Sequence, residues 1–214
     1  PQSFNILPLK GLASNILCER HNSALSPLDA AVGAFTQAIG AIDSDLHPKT
    51  TSARFVRYEF CGQDIERWML KCLIGMVVSG NIGGVLKSEC HDLLFDRVPW
   101  PTGWGLYWLH DKGGPAYHSQ SFAISTDVHP QTGVIVLVRF TLRGMPFGLC
   151  LGRPDHPTQF GVLRPKSLTF KTSERTRTVV LNWSRSRSGY PIILNRAGTY
   201  DGPPPNWQEW EREI

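Results

Sequence analysis

Apolar positions in the first part of the chain recur at helical intervals and predict two helices. Within residues 28–42, every third or fourth position is apolar, which is the spacing of one buried helix face. Residues 64–78 carry a wider apolar set behind an acidic first turn, so we expect a core helix that is buried on more than one side. Between the two helices, the aromatic and β-branched residues of 54–60 predict a strand.

From Trp104 onward the apolar residues alternate with polar ones, which is typical of strands. Turn sequences around 130–133 and 143–144 predict two hairpins. Short strands joined by such turns imply an antiparallel sheet that folds over itself or over the core helix. The six predicted strands are 105–109, 121–127, 134–142, 146–151, 167–171 and 178–183.

Together these patterns predict an α+β fold with two parts. A helical N-terminal segment, residues 1–48, packs on a body of residues 49–214, in which the core helix covers one face of the antiparallel, β-rich sheet. The composition indicates a folded protein, since 41% of the 214 residues are hydrophobic and 10% are aromatic. No apolar run approaches the roughly 18 to 20 residues that span a bilayer, so we expect no membrane contact.

Charge and cysteine content narrow the partners and the compartment. The formal net charge of +4 permits contact with DNA or RNA without requiring it. The five cysteines are odd in number and widely spaced, which is a poor framework for disulfides, and no basic-then-apolar leader opens the sequence. We therefore expect reduced thiols and a cytoplasmic protein.

Cys18 and His21 are the pair of residues that most directly suggests chemistry. A thiolate and an imidazole separated by two residues have the spacing of two ligands of one zinc ion. A helix start is predicted just after them, with Ser26 as N-cap and Pro27 at the first helical position. The alternative is a buried Cys beside a surface His, because such pairs also arise by chance.

Residues 15–29 resemble the second zinc knuckle and helix entry of HNH-type, treble-clef endonuclease domains. The resemblance implies that Cys18 and His21 are zinc ligands, that Asn22 lies at the helix entry and that Asp29 lies near the family's acidic position. It implies a metal-dependent nucleic-acid-cleaving protein or a degenerate relative, with structural zinc and, for a nuclease, Mg²⁺ or Mn²⁺. The family's first C-x-x-C knuckle and its His-bearing hairpin have no counterpart in the sequence, so no catalytic residue is assigned.

Other cysteines and histidines are weaker candidates for a metal site. Cys90 and His91 would complete the zinc site with Cys61 or Cys72, although adjacent side chains diverge and a Cys in mid-helix is usually a small buried hydrophobe. A second candidate cluster consists of His110, Asp111 and His118, which together would cleave phosphodiesters. Solvated histidines in loops are the better interpretation of these residues.

A run of arginines around the strand 178–183 is the predicted nucleic-acid contact. Arg and Lys neutralise phosphates, and Trp183 and Tyr190 lie nearby to stack on bases. The alternative is a charged sheet edge that discourages strand addition. The four arginines are Arg175, Arg177, Arg185 and Arg187, with Lys166 and Lys171 just before them.

Two hypotheses of different classes therefore remain for the function. The first is a metal-dependent nuclease of HNH type. The second is a non-enzymatic, zinc-stabilised module that binds nucleic acid or a protein partner. Nicking of plasmid with Mg²⁺ or Mn²⁺ favours the first, whereas zinc without cleavage favours the second.

Overall fold

A computed structural model of the chain describes residues 19–46, 54–109, 122–152, 160–183 and 191–194. In these ranges the chain forms three helices and nine strands, so the predicted α+β fold is confirmed. The helices are α1 (Glu19–Leu46), α2 (Gly62–Val78) and α3 (Glu89–Leu94). The strands are β1 (Phe55–Cys61), β2 (Gly105–Leu109), β3 (Phe122–Val128), β4 (Ile135–Leu142), β5 (Met145–Cys150), β6 (Gly161–Leu163), β7 (Ser167–Lys171), β8 (Thr176–Asn182) and β9 (Pro191–Leu194).

The strands form two sheets that differ in strand direction. The five-stranded sheet is antiparallel, has the order β3-β4-β5-β2-β6 and contains both predicted hairpins. The four-stranded sheet has the order β1-β8-β7-β9, and its pairs β1–β8 and β7–β9 are parallel. The sequence pattern predicts neither parallel pair, because β1 precedes the core helix and meets its partner only near the end of the described chain.

The predicted core helix and strands occur with bounds that shift by two residues at most. Three elements were not predicted, namely α3, β6 and β9. Each has six residues or fewer, which is too short for a clear hydrophobic period.

Helix α1 starts earlier than the sequence predicts. Ser26 is not an N-cap, because the helix begins at Glu19 and Pro27 lies inside it. Proline has no amide hydrogen and leaves the carbonyl four residues earlier without its helical donor. That carbonyl belongs to Ser23, and the hydroxyl of Ser26 donates to it at 2.9 Å. The Ser-Pro pair therefore compensates for a proline within the helix instead of starting the helix.

The same helix is long and apolar. Over Ser23–Leu46, its length and its mean hydropathy of 1.2 are sufficient to cross a membrane. The apolar runs of the sequence did not predict this. The core helix of a soluble protein has the same properties, and the apolar row of α1 is indeed buried in the core. The absence of membrane contact stays a prediction.

One hydrophobic core joins the three helices to both sheets. Phe35 of α1 illustrates it, because its ring packs edge-on against Phe60 of β1 at 5.4 Å and against Phe147 of β5 at 6.0 Å, centroid to centroid. Helix α1 therefore shares its core with the body, and the predicted division at residue 48 stays a prediction. A smaller cluster, which includes Tyr107, covers the other face of the five-stranded sheet.

A buried ion pair fixes the C-terminal end of α1 to the four-stranded sheet. Arg177 is fully buried in the core-facing row of β8, in register with Val56 on one side and Phe170 on the other. Its Nε lies 3.2 Å from Oδ2 of Asp45, in the last turn of α1. Its Nη1 donates to the backbone carbonyls of residues 54 and 176. A cation here also complements the negative end of the helix dipole.

We expect Arg177→Ala to lower the free energy of unfolding by about 3 kcal/mol, because it leaves Asp45 without its buried counter-charge. Arg57→Ala is the matched control, since Arg57 pairs with Glu59 on the exposed face of the neighbouring strand. Such a surface pair contributes about 0.5 kcal/mol. Urea denaturation of both variants measures the difference, and equal losses would contradict the structural role of Arg177.

Candidate nucleic-acid interface

Of the two predicted zinc ligands, Cys18 lies outside the described residues and His21 is in the first turn of α1. Asn22, predicted at the helix entry, is in the same turn, and Asp29 follows two turns further along. Its Oδ1 accepts a hydrogen bond from Trp68 Nε1 at 3.1 Å, and its Oδ2 pairs with Nζ of Lys71 at 2.6 Å. Asp29 therefore holds α1 against α2.

The remaining cysteines do not assemble a metal site in the described part of the chain. No three His, Cys, Asp or Glu side chains come together there. Completion of the zinc site of Cys18 and His21 by Cys90 and His91 with Cys61 or Cys72 stays a prediction, because Cys18 lies outside the described residues. Burial raises the thiol pKa of Cys72 to about 12 and that of Cys90 to about 11, which keeps both protonated at neutral pH. The cluster of His110, Asp111 and His118 lies outside the described residues.

The structure divides the predicted run of arginines. Arg177 cannot contact a phosphate, because it is fully buried and paired with Asp45. The alternation of β8 already carries this signal, since it places Arg177 on the same face as the apolar Val179 and Leu181. Arg175 is half-buried and donates to the backbone carbonyl of Asp45. The other two, Arg185 and Arg187, lie outside the described residues, as does Tyr190.

The tryptophans mostly pack inward. Trp104 and Trp108 belong to the core, and Trp100 is only partly buried. Trp183 is also buried, and its Nε1 donates to the carbonyl of Pro165 at 2.9 Å. Trp183 is therefore not available to stack on a base.

The outer face of the four-stranded sheet is the face turned away from the core. Strand β1 alternates exposed and half-buried residues, and its half-buried Tyr58 and Phe60 pack on the core. The residues between them point outward, together with their neighbours on β8 and β7. The outer residues described are Phe55, Arg57, Glu59, Cys61, Thr176, Thr178, Val180, Asn182, Ser167, Thr169 and Lys171.

One end of this face combines an exposed aromatic ring with cations. Phe55 is 67% exposed, more than any other large hydrophobic residue that the structure describes. The guanidinium of Arg54 lies over its ring at 5.3 Å from the centroid. The strand register continues the row from Phe55 through Thr176 to the exposed Lys171. An accessible ring between cations is suited to stacking on a base beside a phosphate.

The middle of the outer face is polar. Thr169 and Thr178 lie side by side, with their hydroxyl oxygens 3.4 Å apart. Arg57 completes this row on β1 and pairs with Glu59 along the same strand at 2.7 Å. Hydroxyls and a guanidinium offer donors to phosphate and sugar oxygens without requiring a particular base.

A second charged arrangement lies inside the core, on α2. Glu66 is fully buried, and its Oε1 accepts from the backbone N–H of Leu106 at 2.7 Å. Arg164 holds the same carboxylate through two bonds, Nε to Oε1 at 3.0 Å and Nη2 to Oε2 at 3.1 Å. Gly105 makes room for the pair: its φ is +129°, and a Cβ there would overlap Oε1. Sequence reasoning missed this pair, because its members are 98 residues apart.

The environment of Glu66 shifts its titration. Burial raises the pKa of the carboxyl, and the Arg164 guanidinium and the Leu106 N–H oppose that rise. Because Glu66 has no access to solvent, it cannot exchange a proton with a bound substrate. Its role is to hold Arg164 in place.

We expect the free energy of unfolding of wild type to fall relative to that of Glu66→Gln as the pH rises from about 4 to about 7, so that the advantage of wild type narrows. The native state holds the Glu66 proton more tightly than the unfolded chain, so this residue contributes less stability as the pH rises above about 4.5. Glu89→Gln is the matched control, because hydrogen bonds from its own N–H and from Ser88 lower the pKa of Glu89. The free energy of unfolding of wild type should rise relative to that of Glu89→Gln over the same interval. Urea denaturation across pH measures both, and a widening gap for Glu66→Gln would contradict the raised pKa.

Comparison of the chain with protein-family models, with curated proteins and with solved structures finds no match.

Proposed function

We propose that this protein is a non-enzymatic, zinc-stabilised module that binds single-stranded nucleic acid on the outer face of its four-stranded sheet. The observation that carries the proposal is the exposed ring of Phe55, held under Arg54 and aligned across the sheet with Lys171. Exposing an aromatic ring of this size costs hydrophobic free energy, which a bound base would recover by stacking.

Shape and charge favour a single strand over a duplex. A seven-residue strand such as β1 is about 20 Å long, so the face offers an extended track with the ring at one end. The bases of a single strand are free to lie flat on a ring, whereas those of a duplex are stacked inside the helix. The cations at the edge of the track, Arg54, Arg57 and Lys171, supply contacts to the backbone.

Binding explains the described residues better than cleavage does. A nuclease of HNH type needs a His that activates water and acidic or His ligands for a divalent ion. In the described ranges, two carboxylates that face the interior are paired with arginines, Asp45 with Arg177 and Glu66 with Arg164. The nuclease hypothesis stays a prediction that depends on residues outside those ranges.

The spacing of Cys18 and His21 in the sequence supports the zinc part of the proposal. A thiolate and an imidazole separated by two residues have the spacing of two ligands of one zinc ion.

We expect Phe55→Ala to weaken binding of oligo(dT) and oligo(U) by about 5- to 100-fold, because one stacked base contributes about 1–3 kcal/mol. Lys171→Ala should reduce the salt dependence of the binding constant by about 0.7 in the slope of log K against log salt. Val78→Ala is the matched control, an exposed apolar residue at the end of α2, and should leave binding unchanged. Fluorescence anisotropy with labelled oligonucleotides measures all three.

Two results would contradict the proposal. One is wild-type protein that binds no single strand at low salt, or binds duplex DNA more tightly. The other is nicking of plasmid by the purified protein with Mg²⁺ or Mn²⁺, which would instead support the nuclease hypothesis.

We expect Cys18→Ala to release zinc and to lower the melting temperature, because metal binding and local folding are coupled. Cys150→Ala is the matched control, since Cys150 is buried in the small cluster and its thiol donates to the carbonyl of Gly152. It should lower stability without changing the zinc content. Metal analysis and thermal melts separate the two, and zinc-free wild-type protein would overturn the zinc assignment.

A further inference from the structure

The guanidinium of Arg164 is held by one edge only. Its Nε and Nη2 bind Glu66, which leaves the other edge, formed by Nη1 and the second hydrogen of Nη2, with donors to spare. Within the described ranges no residue accepts a hydrogen bond from that edge. The side chain is 16% exposed, so part of it reaches solvent. A guanidinium edge of this kind matches two oxygens of a phosphate or a carboxylate.

Tryptophan rings fix the plane of Arg164. The centroids of Trp183 and Trp100 lie 5.7 Å and 5.9 Å from its Cζ. Trp183 is itself immobilised, because a Cβ on Gly62 would overlap its ring and its Nε1 is bonded to the backbone. The backbone of Arg164 has a positive φ of 45°, and its N–H donates to the carbonyl of Leu106 at 2.7 Å. The free edge is therefore preorganised, so little side-chain entropy is lost on binding.

Trp100 lies beside Arg164 in the turn that precedes β2, and Lys87 from the segment before α3 packs on a second ring of that turn. The backbone N–H of Trp104 donates to the carbonyl of Pro101, so Trp100 and Trp104 belong to one turn that leads into Gly105. The ammonium of Lys87 lies over the Trp104 ring at 4.2 Å. Trp100 is less buried than Trp104 and Trp183 and presents aromatic surface beside Arg164.

We propose that the Arg164 edge, together with Trp100, binds the phosphate group of a nucleotide. The phosphate accepts two hydrogen bonds from the free edge, and the base stacks on Trp100. Glu66 is a positioning residue in this site, because it holds the guanidinium from the opposite edge. The site is separate from the outer sheet face, so it does not rest on the function proposed for that face.

Titration calorimetry of the full chain with AMP, adenosine and inorganic phosphate tests this proposal. We expect AMP to bind at least tenfold more tightly than either fragment, because only AMP engages both the cation and the ring. Arg164→Lys keeps the charge opposite Glu66 but loses the planar edge, and should weaken AMP binding by at least tenfold. Trp100→Ala leaves the ion pair intact and should weaken AMP binding while leaving phosphate binding unchanged.

Arg97→Ala is the control, because Arg97 is an exposed arginine that pairs with Asp92 outside the site, and it should bind AMP as wild type does. Circular dichroism melts verify that each variant is folded. The proposal is overturned if AMP binds no better than adenosine, or if folded Arg164→Lys binds AMP like wild type. It is also overturned if benzoate competes as well as AMP, since the ligand would then be a carboxylate.

Discussion

The burial of Glu66 is the constraint on which the arrangement of the core depends. A carboxylate without solvent contact is costly unless every oxygen is satisfied. Two distant parts of the chain satisfy this one, the amide of Leu106 in β2 and the guanidinium of Arg164 after β6, and Gly105 next to Leu106 leaves the space for them. The core helix is thereby held at one position along the five-stranded sheet, whereas apolar contacts alone would tolerate sliding.

The ion pair between Asp45 and Arg177 likewise holds α1 at one position on the four-stranded sheet. This second pair joins residues 132 positions apart and lies in a row that is otherwise apolar. Replacing such pairs with hydrophobic residues of equal volume is often neutral for stability. We therefore interpret both pairs as devices that specify which surfaces meet, and the hydrophobic core as the main source of stability.

The two ion pairs also decide which arginines remain for binding. By turning inward, Arg177 leaves the outer face of the sheet to Phe55, Arg57 and the threonines of β7 and β8. Arg164 binds Glu66 through one edge of its guanidinium and keeps part of its side chain exposed. The counter-charge of each guanidinium therefore determines whether the arginine is committed to structure.

Hydrophobic periodicity was sufficient to locate the longer helices and strands, because side chains repeat every 3.6 residues on a helix and every two on a strand. The alternation of β8 even placed Arg177 on the face of Val179 and Leu181. Only the tertiary structure decided the partners, since Asp45 and Glu66 meet their arginines across more than ninety residues and no local period records such contacts. The tertiary structure also decided the start of α1, where Ser26 and Pro27 match the residue preferences of a helix N-terminus. Those preferences are local, and the helix begins before Ser26 because its buried face continues to Leu25.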